Sequence, residues 1–113
     1  MWSHRDDVSL LNPIVPIAHG WQQVARGLES AASQVRDGEV TSVENKVTYV
    51  TPELGFIVDF ERTRAKFGAR QDIAASELRV TTIFRPEDGE WKVVHRHADP
   101  LTTSRSIETV VQG

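Results

Sequence analysis

Three titratable side chains, His95, His97 and Asp99, recur at every second position in the run from Trp91 to Pro100. A strand sends alternate side chains to one face, so the three can look into a common space. A histidine, with an ordinary pKa of about 6.5, is suited to moving protons near neutral pH. If that space is a pocket, the pair can do acid–base work or orient a ligand. If it is a dry interface, one histidine is a satisfied core residue and the other faces a second subunit. A His-x-His pair on a strand can also supply two metal ligands. No third ligand stands at a diagnostic spacing, so no metal is expected.

Glu61 is a second candidate. Phe56, Val58 and Phe60 precede it. A carboxylate in an aromatic-lined space loses solvation, and its pKa rises into the useful range. The plainer reading is an ion pair with Arg79 on a neighbouring strand; Asp59 has the same parity as Glu61 and is the weaker candidate. Arg79 and Thr81 share a face. Pointing inward, Arg79 is a carboxylate clamp; pointing outward, it is an ordinary sheet charge. His4, Asp6 and Asp7 form another polar group near the start of the chain. Trp2 and Trp21 are packing aromatics or, for Trp21, a ligand-facing wall. Arg62, Arg64 and Lys66 alternate as a solvated stripe.

These groups need a scaffold that holds strands side by side. Trp21 to about Arg36 is the clearest helix: Trp21, Val24, Leu28, Ala31 or Ala32, and Val35 fall at three- and four-residue spacings and form one apolar stripe. Asp37-Gly38 is a good stop. Gly27 inside this helix costs about 1 kcal/mol against alanine, which suggests close packing on another element. Strands are expected near 39–50, 55–67, 73–85 and 90–99, with a short one at Val8, Leu10 and Leu11. Asn12 to Pro16 is a rigid loop, because each proline fixes φ and removes a donor. The breaks at 51–55, 68–72 and 86–89 hold the residues that hairpin turns need. Short connections imply antiparallel neighbours. The expected fold is α+β: a long, curled antiparallel sheet with a helix on its concave side.

The chain has 113 residues, 39% hydrophobic and 26% charged, with net charge −3 and no cysteine. A single domain over 1–113 is expected, with 101–113 as a C-terminal tail that adds an edge strand or covers the sheet. A chain of this size buries roughly two-thirds of its unfolded surface, enough for one core and a modest pocket. The absence of cysteine excludes a disulfide framework and thiolate metal sites. No apolar run approaches the ~18 residues of a membrane span. No secretory signal precedes the first elements, and a cytoplasmic protein is expected. No basic stripe with interleaved aromatics points to nucleic acid. Phosphate loops, nucleophile elbows and dinucleotide fingerprints are all missing, and no cofactor is expected.

Several motifs taken together carry a resemblance: Trp-Ser-His-Arg-Asp-Asp-Val at 2–8, Gly20-Trp21, Glu61-Arg62-Thr63, Arg79-Val80-Thr81, and the closing Glu-Asp-Gly-Glu-Trp-Lys-Val-Val-His-Arg-His-Ala-Asp-Pro. Over about residues 2–100 the chain resembles the SnoaL-like branch of the NTF2-like superfamily. The resemblance implies a cone, a strongly bent sheet wrapped on helices with a pocket at its wide end. Ketosteroid isomerases, polyketide cyclases and small dehydratases share this form. Trp-x-x-Val-His-x-His also resembles the association domain of calcium/calmodulin-dependent protein kinase II. Members usually carry a long helix ahead of the segment matching 2–8, and this sequence starts at Met1-Trp2, so an unusually open pocket is expected.

The resemblance implies a small-molecule pocket that binds an apolar or carboxylate-bearing ligand. Its chemistry would be cofactor-free proton transfer on a small apolar carbonyl compound: isomerisation, cyclisation or dehydration. Glu61 and His97 are the expected acid–base pair, with His95, Arg79, Trp21 and Asp99 contacting ligand. A homodimer through the outer sheet face is expected. The alternative is a non-catalytic association module that uses that same outer face.

Overall fold

The computed structural model describes residues 1–111. Six strands form one curved, unclosed sheet in the order β2-β1-β6-β5-β4-β3. They are β1 (Ser9–Leu11), β2 (Ala18–His19), β3 (Val35–Val50), β4 (Gly55–Phe67), β5 (Ala74–Glu87) and β6 (Glu90–Pro100). One helix, α1 (Trp21–Ser33), packs on the inner face, and a 3-10 turn follows at Ile107–Val110. The expected α+β cone is present. Among the described residues no helix is long and apolar enough to cross a membrane.

Local chemistry explains the joints. Asp88 and Gly89 both have positive φ, at 54° and 80°, and alone separate β5 from β6. An Asp-Gly pair in a two-residue hairpin matches the right-handed twist of the flanking strands. At the β3–β4 turn, the Thr51 hydroxyl accepts from the Glu53 and Leu54 N–H groups. The β4–β5 loop is held by Arg36, which donates to the Gly68 and Arg70 carbonyls at 2.7 and 2.6 Å. Three register shifts along β3 against β4, and one between Ile83 and Phe84 of β5, supply local bends. Such bulges strengthen twist and let a sheet curl.

The helix is shorter than its apolar stripe predicts. It stops at Ser33, because Val35 and Arg36 pair with Phe67 and Lys66 and begin β3. The strand ladder outcompetes one more helical turn. β2 was not expected: two residues pair antiparallel with β1. The tail adds one rung, Leu101 N–H to the Glu77 carbonyl, and no further strand up to Val111.

The core is small and lies under the helix. Val8, Leu10, Ala18 and Val24 are fully or almost fully buried, with Trp2, Val15, Trp21, Leu28 and Val94 packed against them. Gly27 has the role its position suggests. A Cβ there would meet Leu10 Cδ2 at 3.2 Å and Val15 Cγ2 at 3.3 Å, so the missing side chain lets α1 approach β1.

Candidate functional site

Strand parity decides what reaches the interior. Ser76 and Leu78 of β5, Arg96 and Ala98 of β6, and Phe67 of β4 line a cavity of about 360 Å³ together with Leu28 and Ala31 of α1. These residues therefore mark the inner face. The loop residues Asn12, Pro13 and Ile14 close one side. The wall is mostly apolar, with Asn12, Gln34, Ser76 and Arg96 as its polar groups.

Arg96 is the charged group in that wall. Its Cα lies beside Thr82 and Leu10 in register. Its side chain reaches diagonally over the strands to Glu61, donating from Nη1 to Oε2 at 3.1 Å and from Nη2 to Oε1 at 2.9 Å. Both side chains are mostly shielded, 29% and 25% exposed. A two-pronged guanidinium–carboxylate pair in such a setting is among the stronger and more directional polar contacts. It holds the guanidinium in one orientation at the cavity wall.

Glu61 is thus on the inner face, beside the cavity lining and not part of it, and its partner is Arg96 and not Arg79. Asp59, on the same face, is almost fully buried and accepts from Asn45 Nδ2 at 2.9 Å.

His95, His97, Asp99 and Arg79 all lie on the opposite, outer face. Their neighbours Arg96, Ala98 and Leu78 take the inward positions, and alternation sends these four outward. There they form a chain of their own. Arg79 pairs with Asp99 at 3.6 Å, and His97 Nε2 lies 3.2 Å from the other Asp99 oxygen. Roughly half of each of these side chains is exposed, 45–52%. His95 Nδ1 and the Ser9 hydroxyl are hydrogen-bonded at 2.7 Å. Burial, with a smaller push from the nearby His97, holds the His95 pKa below its ordinary value. The expected Glu61–His97 acid–base pair is therefore not assembled: the two residues sit on opposite sides of the sheet. The same parity removes His95, Asp99 and Arg79 from the cavity.

Trp21 is also outside the cavity lining. It packs on the core, with His4 stacked on it at 4.0 Å and Trp2 at 6.5 Å. The first segment is tied to β6: Ser3 N–H donates to the Val93 carbonyl and Val93 N–H to the Met1 carbonyl, each at 2.9 Å. Arg85 donates to Asp7 at 2.6 Å and to Glu87 at 2.7 Å. The Arg85 contact lowers the Asp7 pKa. Ser3 and then Arg85 do the same for Glu87. Arg62 and Lys66 of the solvated stripe carry surface ion pairs: Arg62 bonds Glu77 at 3.3 Å and Lys66 meets Asp37 at 3.0 Å.

Arg96 is absent from the sequence-derived site residues because strand alternation does not by itself say whether it or the flanking histidines face inward. A signal was there. Val94 and Ala98 are the apolar, small positions of that strand, and Arg96 shares their parity.

A curled sheet on one helix with a cavity between them is the NTF2-like fold. A family profile described as the SnoaL-like domain matches residues 1–102, and the chain belongs to that family. No curated protein matches. Among solved structures, an NTF2-like superfamily protein from Salmonella enterica serovar Typhimurium aligns with a TM-score of 0.77 at 12% identity, covering 96% of this chain and 78% of that one. A ketosteroid isomerase-like protein from Erwinia carotovora atroseptica aligns at 0.73 and 17%, covering 90% and 77%. A Thiobacillus denitrificans protein, provisionally assigned as a calcium/calmodulin-dependent protein kinase type II association domain, aligns at 0.65 and 22%, covering 89% and 77%. At these identities the likeness is one of fold.

Proposed function

We propose that the inner cavity binds a small, mostly apolar ligand carrying a polar oxygen, and that Arg96, held by Glu61, is its polar anchor. The observation that carries this reading is the position of Arg96. It is a charged side chain in an otherwise mostly apolar wall, oriented by a two-pronged bond that leaves N–H groups unspent. A concave, largely apolar site with a few placed polar groups is the usual form of a small-molecule pocket, and ~300 Å³ is its lower size range.

The chemistry that suits this arrangement is cofactor-free proton transfer beside a carbonyl: isomerisation, cyclisation or dehydration. Arg96 N–H groups would hold the carbonyl oxygen. Turnover would require the Glu61 carboxylate to release one of its Arg96 bonds and take an α-proton, while the electron pair moves onto that oxygen, where the guanidinium stabilises the enolate. The proton would then return at another carbon, or a β-hydroxyl would leave as water. His97, on the outer face, has no part in it. The test is deuterium incorporation at the α-carbons of a panel of cyclic and aromatic ketones, followed by NMR in D2O. Exchange that Glu61→Gln abolishes supports the proton-transfer reading. Binding without exchange by the intact protein removes the enzyme reading and leaves a binding protein.

The outer face favours a second reading, an association module that forms a homodimer. Tyr49 and Val47 stand 52% and 45% exposed there, beside Phe56 and Val58 of β4. Tyr49 stacks on Phe56 at 5.4 Å. A Tyr49→Glu change that leaves the sedimentation coefficient of the chain unaltered counts against it.

A further inference from the structure

We infer that Glu61 is a charge filter: it makes the cavity accept uncharged, oxygen-bearing ligands and refuse carboxylates of the same shape. This rests on the ligand-binding reading of the cavity above and specifies the ligand class.

An arginine in a pocket wall ordinarily invites an anion, because its planar fork fits a carboxylate at two points. Here the end-on pair of N–H groups is already taken by a carboxylate. Both terminal nitrogens donate to Glu61, one to each carboxylate oxygen. Arg96 makes no other ion pair or side-chain hydrogen bond among the described residues. The pair is therefore electrically neutral at the cavity wall. Of the remaining polar lining groups, Asn12, Gln34 and Ser76 are uncharged, so no second cation meets an incoming anion.

Two consequences follow from elementary electrostatics. A ligand carboxylate on the cavity side of the guanidinium would be attracted by Arg96 and repelled by the Glu61 carboxylate, whose oxygens lie 3.1 and 2.9 Å from its terminal nitrogens. Opposed terms of similar size leave little net gain, and the carboxylate must still give up its hydration to enter an apolar space. A ketone, ether or hydroxyl oxygen gives up far less on entry. It needs only a donor, and the guanidinium retains Nε–H and the outer terminal N–H groups after Glu61 has taken its share. Neutral acceptors are favoured for that reason.

The filter is a property of Glu61 alone. Replacing it with glutamine keeps the size and the hydrogen-bonding oxygen but removes the negative charge. Arg96 is then an uncompensated cation at the wall, and the preference should reverse.

The experiment uses two probes matched in size, 2-acetonaphthone and 2-naphthoate, titrated at neutral pH and fixed ionic strength into the full chain and two variants. For the unaltered chain, the ketone is expected to bind at least ~10-fold more tightly than the carboxylate. For Glu61→Gln, naphthoate affinity is expected to rise on the order of tenfold or more relative to that of the ketone. The gain should shrink as salt is added. In Glu61→Gln/Arg96→Gln, both charges are gone and the naphthoate gain should disappear. Circular dichroism spectra of the three proteins control for folding, and the double variant restores a neutral wall if Glu61→Gln alone is unstable. Equal affinity of the unaltered chain for both probes overturns the filter while sustaining the pocket. So does a folded Glu61→Gln with no gain for naphthoate. Neither probe binding to any folded variant overturns the pocket reading itself, and the filter with it.

Discussion

Leu10 joins everything the site depends on. It is fully buried, pairs in register with Arg96, touches the space over Gly27, and lines the cavity. Leu10→Ala deletes three carbons. At about 0.8 kcal/mol each, the lost burial comes to ~2.4 kcal/mol. A sealed core adds a further cost of about 24 cal/mol per Å³ of void, which carries such substitutions to ~5 kcal/mol. Here that addition should be small, because the deleted atoms border an existing cavity, and the new space joins it and does not form a separate dry hole. The expected loss is therefore about 2.5–3 kcal/mol, the low end of the leucine range. Against a total of roughly 6–17 kcal/mol for a chain of this length, it is a large fraction. Urea denaturation followed by tryptophan fluorescence measures it, with an unchanged slope required. A loss under ~1 kcal/mol would refute the packing of α1 on β1. A loss above ~4 kcal/mol would refute the claim that Leu10 borders the cavity.

Other outcomes follow from the same structure. Asp7 and Glu87 have pKa values lowered from ordinary values of 3.8 and 4.5, chiefly through Arg85 and Ser3. A lowered carboxyl pKa gives stability that is present above the unfolded value and lost as pH falls through the folded one. The urea midpoint should therefore decline as pH drops below about 4.5, and Arg85→Met should flatten that decline. Gly27→Leu should destabilise by about 2 kcal/mol or more, since even a Cβ meets Leu10 and Val15 at 3.2 and 3.3 Å. A thermal melt as high as that of the unaltered chain would contradict the close approach. His97→Ala should change stability by less than ~0.5 kcal/mol and leave ketone affinity intact, because His97 lies on the outer face. A loss of binding would return it to the site.

The strands were legible because their signals were local. Asp88-Gly89 and Thr51-Pro52 mark turns by backbone chemistry, and the ends expected at 50, 55, 67 and 90 are those observed. The helix end was misread because Val35 satisfies the helical stripe and the strand ladder equally well, and only the pairing with Phe67 decides between them. The site was half legible. Glu61 does lie on the inner face, but the Phe56, Val58 and Phe60 that suggested it have the other parity and sit on the outer face. The histidines were misplaced because alternation reveals that three residues share a face but not which face it is. Ala98 and Val94 carried that information, as small or apolar residues of the other parity. Arg79 follows the same logic, since Leu78 and Val80 take the inward places on β5. The Glu61–Arg96 pair spans 35 positions of sequence and two intervening registers, and no local pattern encodes it.

The most direct test of the account is a titration of the isotope-labelled chain with 2-acetonaphthone, read by 1H–15N and methyl 1H–13C correlation spectra. The expected result is a saturable set of shifts in Leu10, Leu28, Leu78 and Ala98, together with the Arg96 Nε–H signal. Outer-face His97 and Asp99 should stay still. Shifts confined to His95, His97, Asp99 and Arg79, with the cavity residues unmoved, would contradict the inner site and put the chemistry on the outer face.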